Sequence, residues 1–319
     1  MSGAARSFEI GLSAAIVAVQ GNQPQILAVP GSAPDHRLAL PYGPFDPAHH
    51  RTFEMALRAW VSQQTGLPLG YVEQLYTFGD RGRQTGTDGP HVVSVGYLAL
   101  TRADADAPAQ IRSAWHDWYA ILPWEDWRGG KPEMLDALIV PALRRWAEAS
   151  KDDRAANQPP AEARLRLAFG LDGVGWNEER VLDRYELMYE AGLAAEAVSD
   201  GRIDRPAVAQ LPGVAMESDH RRILATAIGR LRAKLKYRPV IFELMPPSFT
   251  LTQLQETAEA ISGRHVHKQN FRRMVETAQL VEPTGKSTST GRGRPAALYR
   301  FRRSILIERP APGLRVGSR

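Results

Sequence analysis

Two short amphipathic runs near the C-terminus constrain the fold of this 319-residue chain more than any other feature. Thr252 to Ser262 lines up Leu254, Thr257, Ala258 and Ile261 on one side of a helix, with Leu251 just before it and Thr250 or Thr252 placed to cap it. Gly263 ends the run. After four residues a second helix runs from Lys268 to Ala278, with Phe271, Met274, Val275 and Ala278 on its apolar side. That turns Lys268, Gln269, Arg272 and Arg273 outward, with Asn270 near the first turn. Two helices joined by a short Gly-containing turn form a helix-turn-helix, and base-reading and phosphate-reading residue types stand at the start of the second helix. Strands at Val281 to Thr284 and Ala297 to Phe301 enclose a polar, Gly-rich loop. This ribbon reads as a wing, with Lys286, Arg292 and Arg294 at its tip suited to phosphate or minor-groove contact.

The charge distribution agrees. Glu217 to Arg303 holds 17 Lys/Arg against 7 Asp/Glu, while the rest of the chain holds 23 against 28. A basic C-terminal segment on a mildly acidic body is the footprint of a nucleic-acid-binding domain, or, in the blander reading, of a solvated basic face. The chain has no cysteine, which excludes disulfides, thiolate metal sites and Cys nucleophiles. No apolar run approaches 18 residues, so no membrane helix is expected. The N-terminal run from Phe8 to Val19 includes Glu9 and lacks a cleavage pattern, so it reads as a strand, not as a signal peptide. A cytoplasmic location with no membrane partner is expected.

The first hundred residues are β-rich. Phe8 to Val19 and Gln25 to Val29 suggest a hairpin around Gly21-Asn22, and Val72 to Phe78 and Val92 to Leu100 are further strands. His49 to Thr65 has helical periodicity and stops at Gly66. Residues 150–162 read as a linker or exposed loop. Glu178 to Val198 reads as a helix or helix pair with Val181, Leu182, Tyr185, Met188, Tyr189 and Leu193 on its core stripe, and Asp219 to Lys236 reads as a basic helix. Trp115, Trp118, Trp124 and Trp127 are expected to pack in the core. His49-His50 and His265-x-His267 lack carboxylates at ligand spacing, so no metal site is expected; the latter pair falls in the turn before the second helix, in a capping or DNA-backbone role.

Leu40 to Leu67 resembles a Nudix box, a loop and helix whose glutamates hold Mg²⁺ against a pyrophosphate. Anchored on Gly66, the Arg-Glu positions hold Ala59 and Trp60, the Glu-Glu positions hold Gln63 and Gln64, and the upstream Glu position holds Arg51. Gly43 to Gly66 is two residues longer than the motif. Glutamine carries no charge and cannot act as a base, so the box reads as catalytically dead.

Both constellations, with YVEQLYTFGDRGR (Tyr71 to Arg83), HVVSVGYLAL (His91 to Leu100), ESDHRRIL (Glu217 to Leu224), FTLTQLQETAEAISGRHVHKQNFRRM (Phe249 to Met274) and GRGRPAALYRF (Gly291 to Phe301), resemble the Nudix-related transcriptional regulators of the NrtR-like family. The degenerate box and extra residues at about 127–211 are most like its NadQ branch, repressors of NAD synthesis. The resemblance implies an α/β (α+β) architecture: a Nudix-like effector-sensing domain over residues 1–235 with a helical insertion at about 127–211, a winged helix over 236–305, and a disordered tail at 306–319. It further implies a homodimer that represses NAD biosynthesis genes from a palindromic operator in double-stranded DNA, with no catalytic residue and no required cofactor. The effector it implies is an adenine nucleotide: ADP-ribose, ATP or an NAD-related compound. Arg37, Tyr42, Tyr76, Phe78 and Arg83 are the residues suited to touch it, aromatics stacking on adenine and arginines pairing with phosphate. The competing readings are a Nudix hydrolase of ADP-ribose or a related nucleoside diphosphate derivative, and an adaptor whose winged helix binds protein.

Overall fold

Strand β1 (Phe8–Gln20) is apolar without a break from Ala14 to Val19 because both of its faces are buried along its centre, Leu12 to Ala18. The computed structural model describes residues 8–32, 37–80, 91–102, 113–149, 159–204, 212–288, 295–308 and 313–314. Gly21, at φ 61°, turns β1 into β2 (Gln23–Pro30), and the register pairs Gln20 with Gln23, a two-residue hairpin. The sheet is completed by β3 (Leu38–Ala39), β4 (Tyr42–Pro44), β5 (Tyr71–Phe78), β6 (His91–Leu100) and β7 (Ala114–Asp117). Its order is β3-β2-β1-β6-β5, with β4 on β1 and β7 on β2. β1 and β6 run parallel, and the other pairings are antiparallel.

The period-2 alternation of β1 divides the core. Leu12, Ala14 and Ile16 face helix α1 (Phe53–Thr65) and meet Ala56, Leu57 and Val61. The helix starts at Phe53, later than the periodicity suggests, because Thr52 caps it, accepting the Met55 N–H at 3.2 Å. His49 and His50 instead lie in a turn closed on the Asp46 carbonyl. Ala15 and Val17 face the opposite layer. That layer is built from α2 (Trp118–Ile121), a π-helical turn at Leu135–Ile139, α3 (Val140–Ala149), α4 (Ala161–Phe169), α5 (Val181–Glu190), α6 (Ala195–Ser199) and α7 (His220–Leu235). Gly192, at φ 70°, breaks the Glu178 to Val198 run into α5 and α6. Trp118 and Trp124 are core residues, and Trp127 packs on Trp176 with ring centres 4.4 Å apart.

The expected stripe is buried at Val181, Tyr185, Met188, Tyr189 and Leu193, and it is wider than expected. Arg184 and Leu187 are buried with Val181, Tyr185 and Met188, while Leu182 is only half-buried.

The C-terminal elements are α8 (Leu251–Ser262), α9 (Lys268–Ala278), β8 (Val281–Thr288), β9 (Ala296–Phe301) and α10 (Ile305–Glu308). No break in the core marks the boundary expected near residue 235: one buried cluster runs from Ala15 and Leu98 through Leu224 and Ile228 to Leu254, Ile261 and Phe271. The expected tail at 306–319 also needs correction where it is described. Leu306 to Glu308 belong to α10, and Leu314 is buried, its N–H donated to the Leu235 carbonyl at 2.6 Å.

Candidate nucleic-acid interface and effector region

Helix α8 is fixed by a capping box: Thr250 accepts the Gln253 N–H at 3.2 Å, and Gln253 Oε1 accepts the Thr250 N–H at 2.8 Å. Gly263, at φ 71°, ends it. The turn into α9 is braced by two side chains of α8. Glu259 Oε1 accepts the Val266 N–H at 2.9 Å, and Gln255 donates to the Val266 carbonyl at 2.7 Å. His265 lies 3.2 Å from Glu259, and His267 occupies the N-cap position of α9 without a side-chain capping bond. Phe271 and Val275 seat α9 in the core. Lys268, Gln269, Asn270, Arg272 and Arg273 are all exposed on its outer face, with Arg273 Nη2 3.4 Å from Asn270 Oδ1. No side chain caps the first turn, so its N–H groups are left to water or to a phosphate.

The wing pairs β8 with β9, Val281 opposite Phe301 at the base and Thr288 opposite Ala296 toward the tip. Lys286, expected at the tip, is exposed within β8, because the ribbon goes on pairing as far as Thr288. Arg292 and Arg294 lie outside the described residues. The arrangement of helix, turn, helix and ribbon presents a cationic outer surface on the element that a major groove accepts.

Of the residues suited to an effector, Tyr76 and Phe78 have their rings together, centres 5.2 Å apart. Arg37 donates to Ser199 Oγ at 2.5 Å, on α6. Tyr42 packs its ring on His220, centres 5.0 Å apart, and Tyr76 is 60% exposed. Phe78 is buried under the Arg222 guanidinium, 4.6 Å from its ring centre, so it is a core residue. Arg83 lies outside the described residues. His220 and Arg222 are two apart on α7 and so point to different sides of it, which keeps Tyr42 and Phe78 apart.

The box helix α1 uses its motif positions structurally. Gln64 pairs with Tyr42 at both backbone groups, Tyr42 N to Oε1 at 3.0 Å and Nε2 to the Tyr42 carbonyl at 2.6 Å. Trp60 donates to the Pro44 carbonyl at 2.9 Å and lies over Gly43, where a Cβ would come within 2.3 Å of the indole. Gln63 is exposed. The carboxylate of this helix, Glu54, is paired with Arg58 at 2.8 Å. Beside it, a cleft of about 290 Å³ is lined by Thr52, Phe53, Glu54, Val72, Gln74 and Tyr97. Burial, with the Glu54 charge adding to it, pushes the Tyr97 phenol up. Among the described residues no cluster of three His, Asp or Glu is arranged for a metal ion.

The Glu217 to Leu224 segment works as a clasp. Glu217 accepts from the N–H of Ser32 at 2.7 Å and from its hydroxyl at 2.5 Å. His220 Nδ1 accepts the Leu40 N–H at 3.1 Å. Burial pushes the His220 imidazole down to about 4 against the pull of Glu217, so it is neutral. Arg221 donates to the Ile121 carbonyl at 2.7 Å, and Arg222 to Asp80 and Glu186.

A buried ionic knot joins residues too remote in sequence for local periodicity to pair. Glu125 receives a two-pronged contact from Arg184, at 2.6 and 2.8 Å, and a third bond from Arg232 Nη1 at 2.7 Å. All three side chains are 0–1% exposed. Burial alone would raise the Glu125 carboxyl, but the two guanidiniums outweigh it and hold it below the usual carboxylate range. Arg232 Nε also donates to the Ile261 carbonyl of α8 at 2.9 Å, and Tyr119 Oη donates to the Ala260 carbonyl at 2.8 Å. The knot therefore ties the body to the first helix of the helix-turn-helix. A signal existed: Arg184 and Arg232 occupy core positions of their helical stripes, where an arginine needs a buried partner.

Residues 241–301 match the NrtR DNA-binding winged helix domain. A stretch of 83 residues is 45% identical to the ADPR responsive transcriptional repressor NtrR of Acinetobacter baylyi, covering 26% of this chain and 33% of the relative. The chain thus aligns with a third of the length of the curated relative it matches. In fold it is similar to Shewanella oneidensis NrtR solved with a 27mer DNA, at TM-score 0.55 and 20% identity, covering 92% of this chain and 94% of that one. It is also similar to a MutT/nudix family protein from Enterococcus faecalis, at TM-score 0.52 and 15% identity, covering 95% and 89%. The architecture is a Nudix fold followed by a winged helix, and the resemblance to NrtR extends through both.

Proposed function

We propose that this chain, a Nudix fold ending in an NrtR-type winged helix, is a cytoplasmic, homodimeric transcriptional repressor of NAD biosynthesis genes, of the NadQ kind. In this reading its helix α9 reads a palindromic operator, while the Nudix-fold body binds ADP-ribose, or a related adenine nucleotide such as ATP or an NAD derivative, without hydrolysing it. No cofactor is required. The observation that carries the reading is the outer face of α9, where Lys268, Gln269, Asn270, Arg272 and Arg273 are all exposed on a helix seated by Phe271 and Val275. Lys and Arg neutralise phosphates, and Gln and Asn match adenine edges. The printed name of the Acinetobacter baylyi relative supports ADP-ribose as the first effector to try. The loss of hydrolysis is supported by α1, whose Trp60 and Gln64 are engaged in holding the loop at 42–44.

The test is a mobility-shift titration on DNA upstream of the chain's own gene and of NAD-synthesis genes, with and without ADP-ribose, ATP and NAD. A specific shift altered by one nucleotide is expected. With about 6–10 phosphate contacts, affinity should fall by roughly 10³–10⁵ between 50 and 200 mM salt. Absence of a specific, salt-sensitive shift would point to the protein-binding adaptor. Mg²⁺-dependent turnover of ADP-ribose that vanishes in Gln63→Ala would overturn the non-catalytic reading.

A further inference from the structure

A cleft of about 1130 Å³ opens where the Nudix-fold body meets the base of the wing. Tyr71, Arg102, Lys234 and Arg238 line it from the body and the end of α7, and Arg300, Arg302 and Arg303 line it from the wing base. Six cationic side chains share this space with two carboxylates, Glu243 and Glu282. Three of the cations are already engaged: Lys234 with Glu73, Arg300 with Glu282 at 2.7 Å, and Arg302 with Glu308 at 2.5 Å. Arg102, Arg238 and Arg303 are exposed and make no ion pair among the described residues.

Guanidiniums converging on one concavity repel each other and raise the local concentration of anions. The 3-10 turn Val240–Glu243 and the wing add a flat surface, since Phe242 stacks on Phe301 with ring centres 4.3 Å apart and planes at 21°, both rings half-buried. Cationic groups beside an aromatic surface suit a phosphorylated ligand with a planar ring. The cleft is lined by none of the exposed residues of α9 and adjoins the base of the wing, where Val281 pairs with Phe301, away from the tip.

We propose that this junction cleft is a binding site for a small anion of the nucleotide class. Arg102, Arg238 and Arg303 hold its phosphates, and its ring lies against Phe242 and Phe301. A ligand there touches the body and the wing at once, which the smaller cleft beside Glu54 does not allow.

The test is calorimetric titration of the full chain with ADP and, separately, with inorganic pyrophosphate. ADP should occupy a site that the double variant R102A/R238A loses or binds at least tenfold more weakly. Pyrophosphate should bind that site at least tenfold more weakly than ADP. Both arginines are exposed and make no ion pair among the described residues, so the variant should melt with the wild-type chain. An unchanged number and affinity of ADP sites in R102A/R238A would overturn the proposal. Equal binding of pyrophosphate and ADP would overturn the seat for the ring. Loss of operator affinity in nucleotide-free R102A/R238A would assign these arginines to DNA phosphates instead. The ADP titration involves no operator and no effector response, so it is independent of the repressor reading.

Discussion

Single buried polar groups set where the loops of the body lie. His220 is the clearest case, since its Nδ1 takes the Leu40 N–H while its ring supports Tyr42. In the fold its pKa is lowered from 6.5 to about 4 by burial. The unfolded chain therefore binds the proton first as pH falls. The stability that depends on neutral His220 is intact above pH 6.5 and is lost as pH drops toward 4, by about 3 kcal/mol in all. Urea denaturation at pH 7 and pH 4.5 should record this loss, and His220→Gln should reduce it. The same pH dependence in the variant would show that other groups cause it.

Whole elements carry the DNA-facing chemistry. α9 owes its placement to α8, whose capping box fixes its start and whose Gln255 and Glu259 hold the turn. With Phe271 and Val275 inward, the 3.6-residue period leaves Arg272 and Arg273 facing out. Arg272→Ala should weaken operator binding by about 1–3 kcal/mol if it reads a base. If it pairs with a phosphate, the loss should be uniform across sequences and the salt slope should fall by about one. Mobility shifts at three salt concentrations separate the two, and unchanged affinity would show that α9 does not lie in the groove.

Across the whole molecule, the body and the winged helix share one core. The cluster reaching from Ala15 to Phe271 and the Glu125–Arg184–Arg232 knot both cross the boundary at residue 235. Two domains joined by a flexible linker would melt separately, whereas a continuous core melts as one unit. One calorimetric transition is expected. Glu125→Gln leaves two buried guanidiniums short of their counter-charge and should cost about 3–5 kcal/mol. Because Arg232 also holds the Ile261 carbonyl, that loss should lower the whole transition, and splitting into two transitions in the wild-type chain would refute the shared core.

The winged helix was legible in the amino-acid sequence because its determinants are local. Thr250, Gly263 and the i, i+4, i+7 placement of Leu254, Ala258 and Ile261 act within about two turns, and α9 spans Lys268–Ala278 as its period predicts. Strands β1, β2, β5 and β6 were legible for the same reason, since burial writes a continuous apolar run into β1, whereas the short β3, β4 and β7 carry too few residues to show a pattern. Long-range partnerships were not. Glu125 finds Arg184 59 residues away and Arg232 107 away, and Arg37 meets Ser199 across 162. Local periodicity marks such a residue as buried or exposed without naming its partner. The neighbours that Arg37, Tyr42 and Phe78 take, the tie between Arg232 and α8, and the cleft beside the wing were therefore decided only by tertiary packing, which brings segments remote in sequence to one place.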